Sequence, residues 1–147
     1  MRSIERLYFY IQCFILRILY LYNIILYMSY QPPEVGNEIS CVMRGIDDKF
    51  LYNTKALEKK IIAALKKEKF TVLDIISRKF KPQGYTLVAL LAESHLATHT
   101  YPEYNSFYLN IYSCRGKEDG VKTYEAIKKY LKPKSIDYSN KKIIVKQ

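Results

Sequence analysis

Residues 85–92, Tyr-Thr-Leu-Val-Ala-Leu-Leu-Ala, form a continuous apolar run that opens directly after the turn pair Gln83-Gly84. A run this short, bounded by a turn, suits a strand in the middle of a sheet. The rest of the chain supplies its neighbours. Residues 105–113 alternate, with Phe107, Leu109 and Ile111 on one face and Tyr108, Asn110 and Tyr112 on the other, as expected of a strand with one face on a core. Residues 37–44 read as a strand closed by Gly45 and an Asp47-Asp48 turn, residues 70–76 are rich in β-formers, and residues 135–145 read as a last strand. Between them, Thr54 is placed to cap a helix running to Lys67, with Leu57, Ile61, Ala64 and Leu65 on one stripe and a basic last turn. Asp119 is placed to cap a second helix whose stripe is Val121, Tyr124, Ile127 and Leu131, with Pro133 stopping it. This order predicts an α+β two-layer sandwich, an antiparallel sheet with helices on one face.

The 147 residues divide unequally. Residues 1–33 form an apolar extension, and residues 34–147 are expected to be the folded domain, large enough for one core. Positions 7–30 are almost entirely Leu, Ile, Tyr, Phe and Met, interrupted by Gln12, Arg17 and Asn23. The stretch is long enough to span a bilayer, but Arg17 at its centre costs a few kcal/mol there and no small-residue cleavage site follows. Its readings are a segment ahead of a true start at Met28, a membrane-surface helix, or a span. The net charge is +10, yet lysines such as Lys66-Lys67, Lys128-Lys129 and Lys141-Lys142 lie on helix faces and in the tail, without an RNA-binding or helix-turn-helix pattern. They read as solvated faces, and no nucleic-acid partner is expected. The three cysteines, Cys13, Cys41 and Cys114, lack metal-ligand spacing, so no metal site is expected and a reducing, cytoplasmic setting fits.

Chemistry concentrates in one stretch, Glu93-Ser94-His95-Leu96-Ala97-Thr98-His99-Thr100-Tyr101-Pro102-Glu103, which holds both histidines of the chain. Serine becomes a competent nucleophile only when a base takes its proton, so the pairing suggests nucleophilic chemistry. On these residues alone, Ser94 reads equally as a hydrogen-bonding group at a strand end, and His95 and His99 as structural groups. The G-x-S-x-G elbow of many hydrolases is absent from the sequence.

The same stretch resembles the processing site of the prokaryotic S-adenosylmethionine decarboxylases. Lys79-Phe80-Lys81-Pro82-Gln83-Gly84 upstream and Tyr112-Ser113-Cys114 downstream resemble that family at matching spacing, with the cysteine twenty residues after the serine. The resemblance implies self-cleavage between Glu93 and Ser94, leaving a pyruvoyl group derived from Ser94 that forms a Schiff base with the substrate. It implies His99 as the processing histidine, assisted by Thr86 where a serine is usual, and Cys114 as the proton donor. Glu103 is implied as the ribose-binding carboxylate and Phe80 as an aromatic near the adenine. A homodimer with sites between protomers is likewise implied. The expected activity is conversion of S-adenosylmethionine to its decarboxylated form, the aminopropyl donor for spermidine. Departures fall on the first strand: Gly36-Asn37-Glu38 lacks the usual histidine, Val42 stands where an acid is common, and Arg44 where an aromatic is. They keep open an arginine or ornithine decarboxylase on the same scaffold, and beyond that a non-catalytic module.

Overall fold

A computed structural model describes residues 33–146; the apolar stretch at positions 7–30 lies outside them. The elements are β1 (Val35–Arg44), α1 (Asp48–Tyr52), α2 (Thr54–Lys67), β2 (Val72–Lys79), β3 (Tyr85–Leu91), β4 (Ser94–Tyr101), a 3-10 turn (Pro102–Tyr104), β5 (Ser106–Ser113), α3 (Val121–Leu131) and β6 (Ser135–Ile144). The strands make one sheet in the order β2-β3-β4-β5-β1-β6, antiparallel at every pairing. Hairpins generate the first four neighbours, and the two helical crossovers bring β1 and β6 to the far side of β5.

The alternation of side chains decides the layers. Ile39, Cys41 and Met43 on β1, Leu87 and Ala89 on β3, Leu96 on β4, and Phe107, Leu109 and Ile111 on β5 all turn to one face. There they bury against Leu57, Ile61 and Leu65 of α2 and Tyr124, Ile127 and Leu131 of α3. Each fully buried large side chain contributes about 1.5–3 kcal/mol relative to exposure. This is the two-layer sandwich expected. Among the described residues no helix covers the other face, and Ile76, Val88 and Leu90 lie exposed on it. Gly36 is required by close packing, since a Cβ there would sit 2.8 Å from the Ser113 carbonyl oxygen.

Both expected helix caps are corrected. Asn53, not Thr54, caps α2, its side chain accepting from the Ala56 N–H, and Thr54 is the first helical residue, buried. Asp119 does not cap α3; the Glu68 carboxylate reaches across and accepts from the Gly120, Lys122 and Thr123 N–H groups. A long-range carboxylate does here what a local one usually does. The short α1, capped by the Asp47 side chain, starts within the Asp47-Asp48 pair read as a turn and continues to Tyr52. Strand β2 runs on to Lys79, beyond its expected end. Among the described residues, no helix is long and apolar enough to cross a membrane.

Candidate active site

Strand β4 carries the central motif, and its two ends gather different residues. At its start, β3 and β4 are joined by the two-residue turn Ala92-Glu93, with Leu91 paired to Ser94. Such tight hairpins normally place a Gly or Asn at positive φ within the turn. Here the positive φ, 138°, falls on Ser94 itself. A side chain held in that region costs on the order of 1–3 kcal/mol and persists only where its surroundings impose it.

The surroundings are identifiable. The Glu93 carbonyl, whose carbon lies one bond before Ser94, accepts a hydrogen bond from the Cys114 N–H at 3.0 Å. The Glu93 side chain, only 12% exposed, accepts from the Thr71 N–H at 3.1–3.2 Å and lies 3.8 Å from Arg115 Nη1. A backbone N–H on a carbonyl oxygen withdraws charge and readies its carbon for attack, as an oxyanion hole does. Cys114 is half-buried at the bend after β5, whereas Cys41 is buried in the core, where loss of hydration pushes its thiol up to about 12. Asp119 hydrogen bonds raise the Arg115 guanidinium above its ordinary value.

At the other end of β4, His99 Nδ1 is hydrogen-bonded to Thr86 Oγ1 across the β3–β4 pair at 2.5 Å. The ring sits between Tyr101, at 4.5 Å between centroids, and Phe80, at 5.8 Å. Phe80 is 47% exposed and lies on the loop before β3, whose Gly84 carbonyl accepts from the Phe80 N–H. Glu103, on the 3-10 turn after β4, accepts from Gln83 Nε2 at 3.1 Å, and Gln83 Oε1 accepts from the Tyr52 hydroxyl at 3.0 Å. Thr86, His99, Phe80 and Glu103 therefore form one group, and Glu93, Ser94 and Cys114 another.

The two groups do not meet within one chain. Ser94 and His99 lie five positions apart along β4, about 16 Å at about 3.3 Å per residue. Sequence reasoning passed over this separation, and it passed over Arg115, Thr71 and Tyr52. The one sequence signal among them was the adjacency of Arg115 to Cys114. A recess of about 150 Å³ touches Tyr52, Phe80, Gln83 and Pro102, well below the ~300 Å³ at which small-molecule sites begin. The larger cavity, about 880 Å³, lies on the helix side between Lys67, Val121, Lys129 and Ile136, and no member of either group lines it.

The family pattern for S-adenosylmethionine decarboxylase matches residues 38–142, from within β1 to within β6. The chain is 35% identical over 104 residues to the S-adenosylmethionine decarboxylase proenzyme of Picrophilus torridus, covering 71% of this chain and 80% of that protein. The protein of the same name from Sulfurisphaera tokodaii is 36% identical over 103 residues, covering 70% and 84%. Among solved structures, the adenosylmethionine decarboxylase of Aquifex aeolicus superimposes with a TM-score of 0.68 at 27% identity, over 73% of this chain and 88% of that one.

Proposed function

The chain belongs to the S-adenosylmethionine decarboxylase family, and on that premise we propose that it cuts itself between Glu93 and Ser94 and then converts S-adenosylmethionine to decarboxylated S-adenosylmethionine and CO2. The product is the aminopropyl donor for spermidine. The relatives lend no support to arginine or ornithine as substrate, nor to a non-catalytic module.

The observation that carries the proposal is the geometry of the Glu93–Ser94 linkage: a strained Ser94 next to a carbonyl already bonded to the Cys114 N–H. In the proposed cleavage, Ser94 Oγ adds to the Glu93 carbonyl carbon and the C–N bond breaks, so the amide becomes an ester and the hydroxyl proton passes to nitrogen. His99, held in orientation by Thr86, acts as the general base in the next step. Removal of the Ser94 α-proton expels the Glu93 carboxylate, and water then releases ammonia, leaving a pyruvoyl group at position 94. A partly buried serine following a polarised carbonyl fits that origin. Once formed, the pyruvoyl carbonyl supplies an electron sink for carboxylate loss. Cys114 holds the proton to be returned to the substrate carbon, while Glu103 and Phe80 receive the ribose hydroxyls and the adenine ring.

This scheme needs His99 near Ser94, and one chain keeps them about 16 Å apart. The proposal therefore includes a homodimer in which His99 of one protomer serves Ser94 of its partner. Support comes from the sheet face opposite the described helices, where exposed Ile76, Val88 and Leu90 are an apolar surface suited to a second copy. Intact mass spectrometry tests the cleavage. Wild-type protein should yield one piece ending at Glu93 and a second beginning with a pyruvoyl group, and Ser94→Ala a single chain. Cleavage of Ser94→Ala at the same bond would refute it.

A further inference from the structure

Arg115 follows Cys114 in the chain, and the chemistry above does not use it. Its guanidinium is nevertheless committed on every side. Nε and Nη2 donate to the two carboxylate oxygens of Asp119 at 2.8 and 2.7 Å, Nη1 donates to the Lys69 carbonyl at 2.7 Å, and Nη2 to the Glu68 carbonyl at 3.1 Å. Its central carbon lies 4.1 Å from the Phe70 ring centroid, and Nη1 is 3.8 Å from Glu93 Oε1. Asp119 is itself fixed, accepting from the Ser113 hydroxyl and, through its backbone carbonyl, from Asn37.

Arg115 thus reaches Glu93 by two routes. Through space it faces the Glu93 carboxylate. Through the chain it anchors the segment whose preceding residue, Cys114, donates its N–H to the Glu93 carbonyl. A planar guanidinium with a bidentate carboxylate and two carbonyl acceptors is a rigid support, since its donors are fixed in one plane. The strained Ser94 backbone relaxes unless something holds the linkage in place. We infer that Arg115 is a positioning residue for self-cleavage: with Asp119 it clamps Glu93 against the Cys114 N–H and so holds the carbonyl carbon in reach of Ser94 Oγ. This rests on the cleavage reading above, because it assigns the residue that supports that same bond.

The test is the time course of cleavage of freshly translated full-length chain, followed by intact mass, with and without hydroxylamine, which cuts the ester but not the amide. Arg115→Ala should mature about 10–100-fold more slowly, the range for losing hydrogen bonds between charged partners. Arg115→Lys keeps the charge but not the fork and should fall between. Hydroxylamine should accelerate His99→Ala, where the ester waits for its α-proton to be removed, and should leave Arg115→Ala slow, because the ester is hardly formed. A folding defect alone is separated by thermal unfolding in the uncleavable Ser94→Ala background. If Arg115→Ala does not fold, Glu93→Gln carries the test: it keeps every other Arg115 contact and should mature about two- to fivefold more slowly, the scale of a partly exposed ion pair. Wild-type maturation of a folded Arg115→Ala or of Glu93→Gln, or full rescue of Arg115→Ala by hydroxylamine, overturns the clamp. A wild-type chain that stays whole overturns the cleavage reading itself and the clamp with it.

Discussion

The start of β4 and its end differ in what holds them and in what they lack. At the start, backbone groups and a nearly enclosed ion network fix the Glu93–Ser94 linkage, and the carbonyl has its donor in place, but the His99 base lies about 16 Å along the strand. At the end, a histidine oriented by a threonine hydroxyl sits among partly exposed aromatic rings and an exposed carboxylate, with nothing there to act on. One half-site holds the electrophile of the proposed cleavage, and the other the histidine proposed as its base. In the proposed scheme a catalytic unit takes one half from each of two copies, and the exposed apolar sheet face offers a second copy surface to bury.

Substitutions at the two ends should separate cleavage from turnover. His99→Ala should slow maturation by about 10²–10⁴-fold, the usual contribution of a positioned general base; intact mass over time reads it, and wild-type maturation would remove the histidine end from the cleavage chemistry. Cys114→Ala should still mature, since alanine keeps the backbone N–H, but should lose about 10²–10⁴-fold in CO2 release if the thiol is the proton donor. The same change at Cys41 should cost stability only. Full turnover by Cys114→Ala would confine the residue to cleavage.

Glu103→Gln keeps the shape of the histidine end and weakens charge-assisted bonds worth about 1.5–3 kcal/mol, so kcat/KM for S-adenosylmethionine should drop by about one to two orders of magnitude. Maturation should be unaffected; an equal loss in both would make Glu103 part of the cleavage apparatus. The smallest effect is expected at Thr86→Val, which removes one neutral hydrogen bond worth about 0.5–1.5 kcal/mol and should slow maturation by about two- to tenfold. Thr86→Ser should restore it, and a slow Thr86→Ser would point to the methyl group rather than the hydroxyl.

The strands were legible because their signal is local. Alternation at residues 105–113 and the apolar run at 85–92 recur as β5 and β3, and the stripes of both helices face the core. The caps were misread because Thr54 and Asp119 satisfy the local pattern, while Asn53 lies one position earlier and Glu68 arrives from another helix. Arg115 was invisible for the same reason: its partners Asp119, Glu68, Lys69 and Glu93 converge only after folding. The motif itself misled in a subtler way. Ser94 and His99 are close in sequence and look like one site, but an extended strand converts five residues into a separation no side chain bridges.

Mixed dimers test this division of labour most directly. His99→Ala and Ser94→Ala chains, carrying different affinity tags, are coexpressed, and pairs containing both are isolated through the two tags in sequence. Each pair holds one intact Ser94 and one intact His99, on different chains. The account predicts that the His99→Ala chain, which matures slowly when expressed alone, is cut between residues 93 and 94 at close to the wild-type rate in the mixed pair. A His99→Ala chain that remains whole in the mixed pair, while wild-type protein cleaves normally, would contradict it.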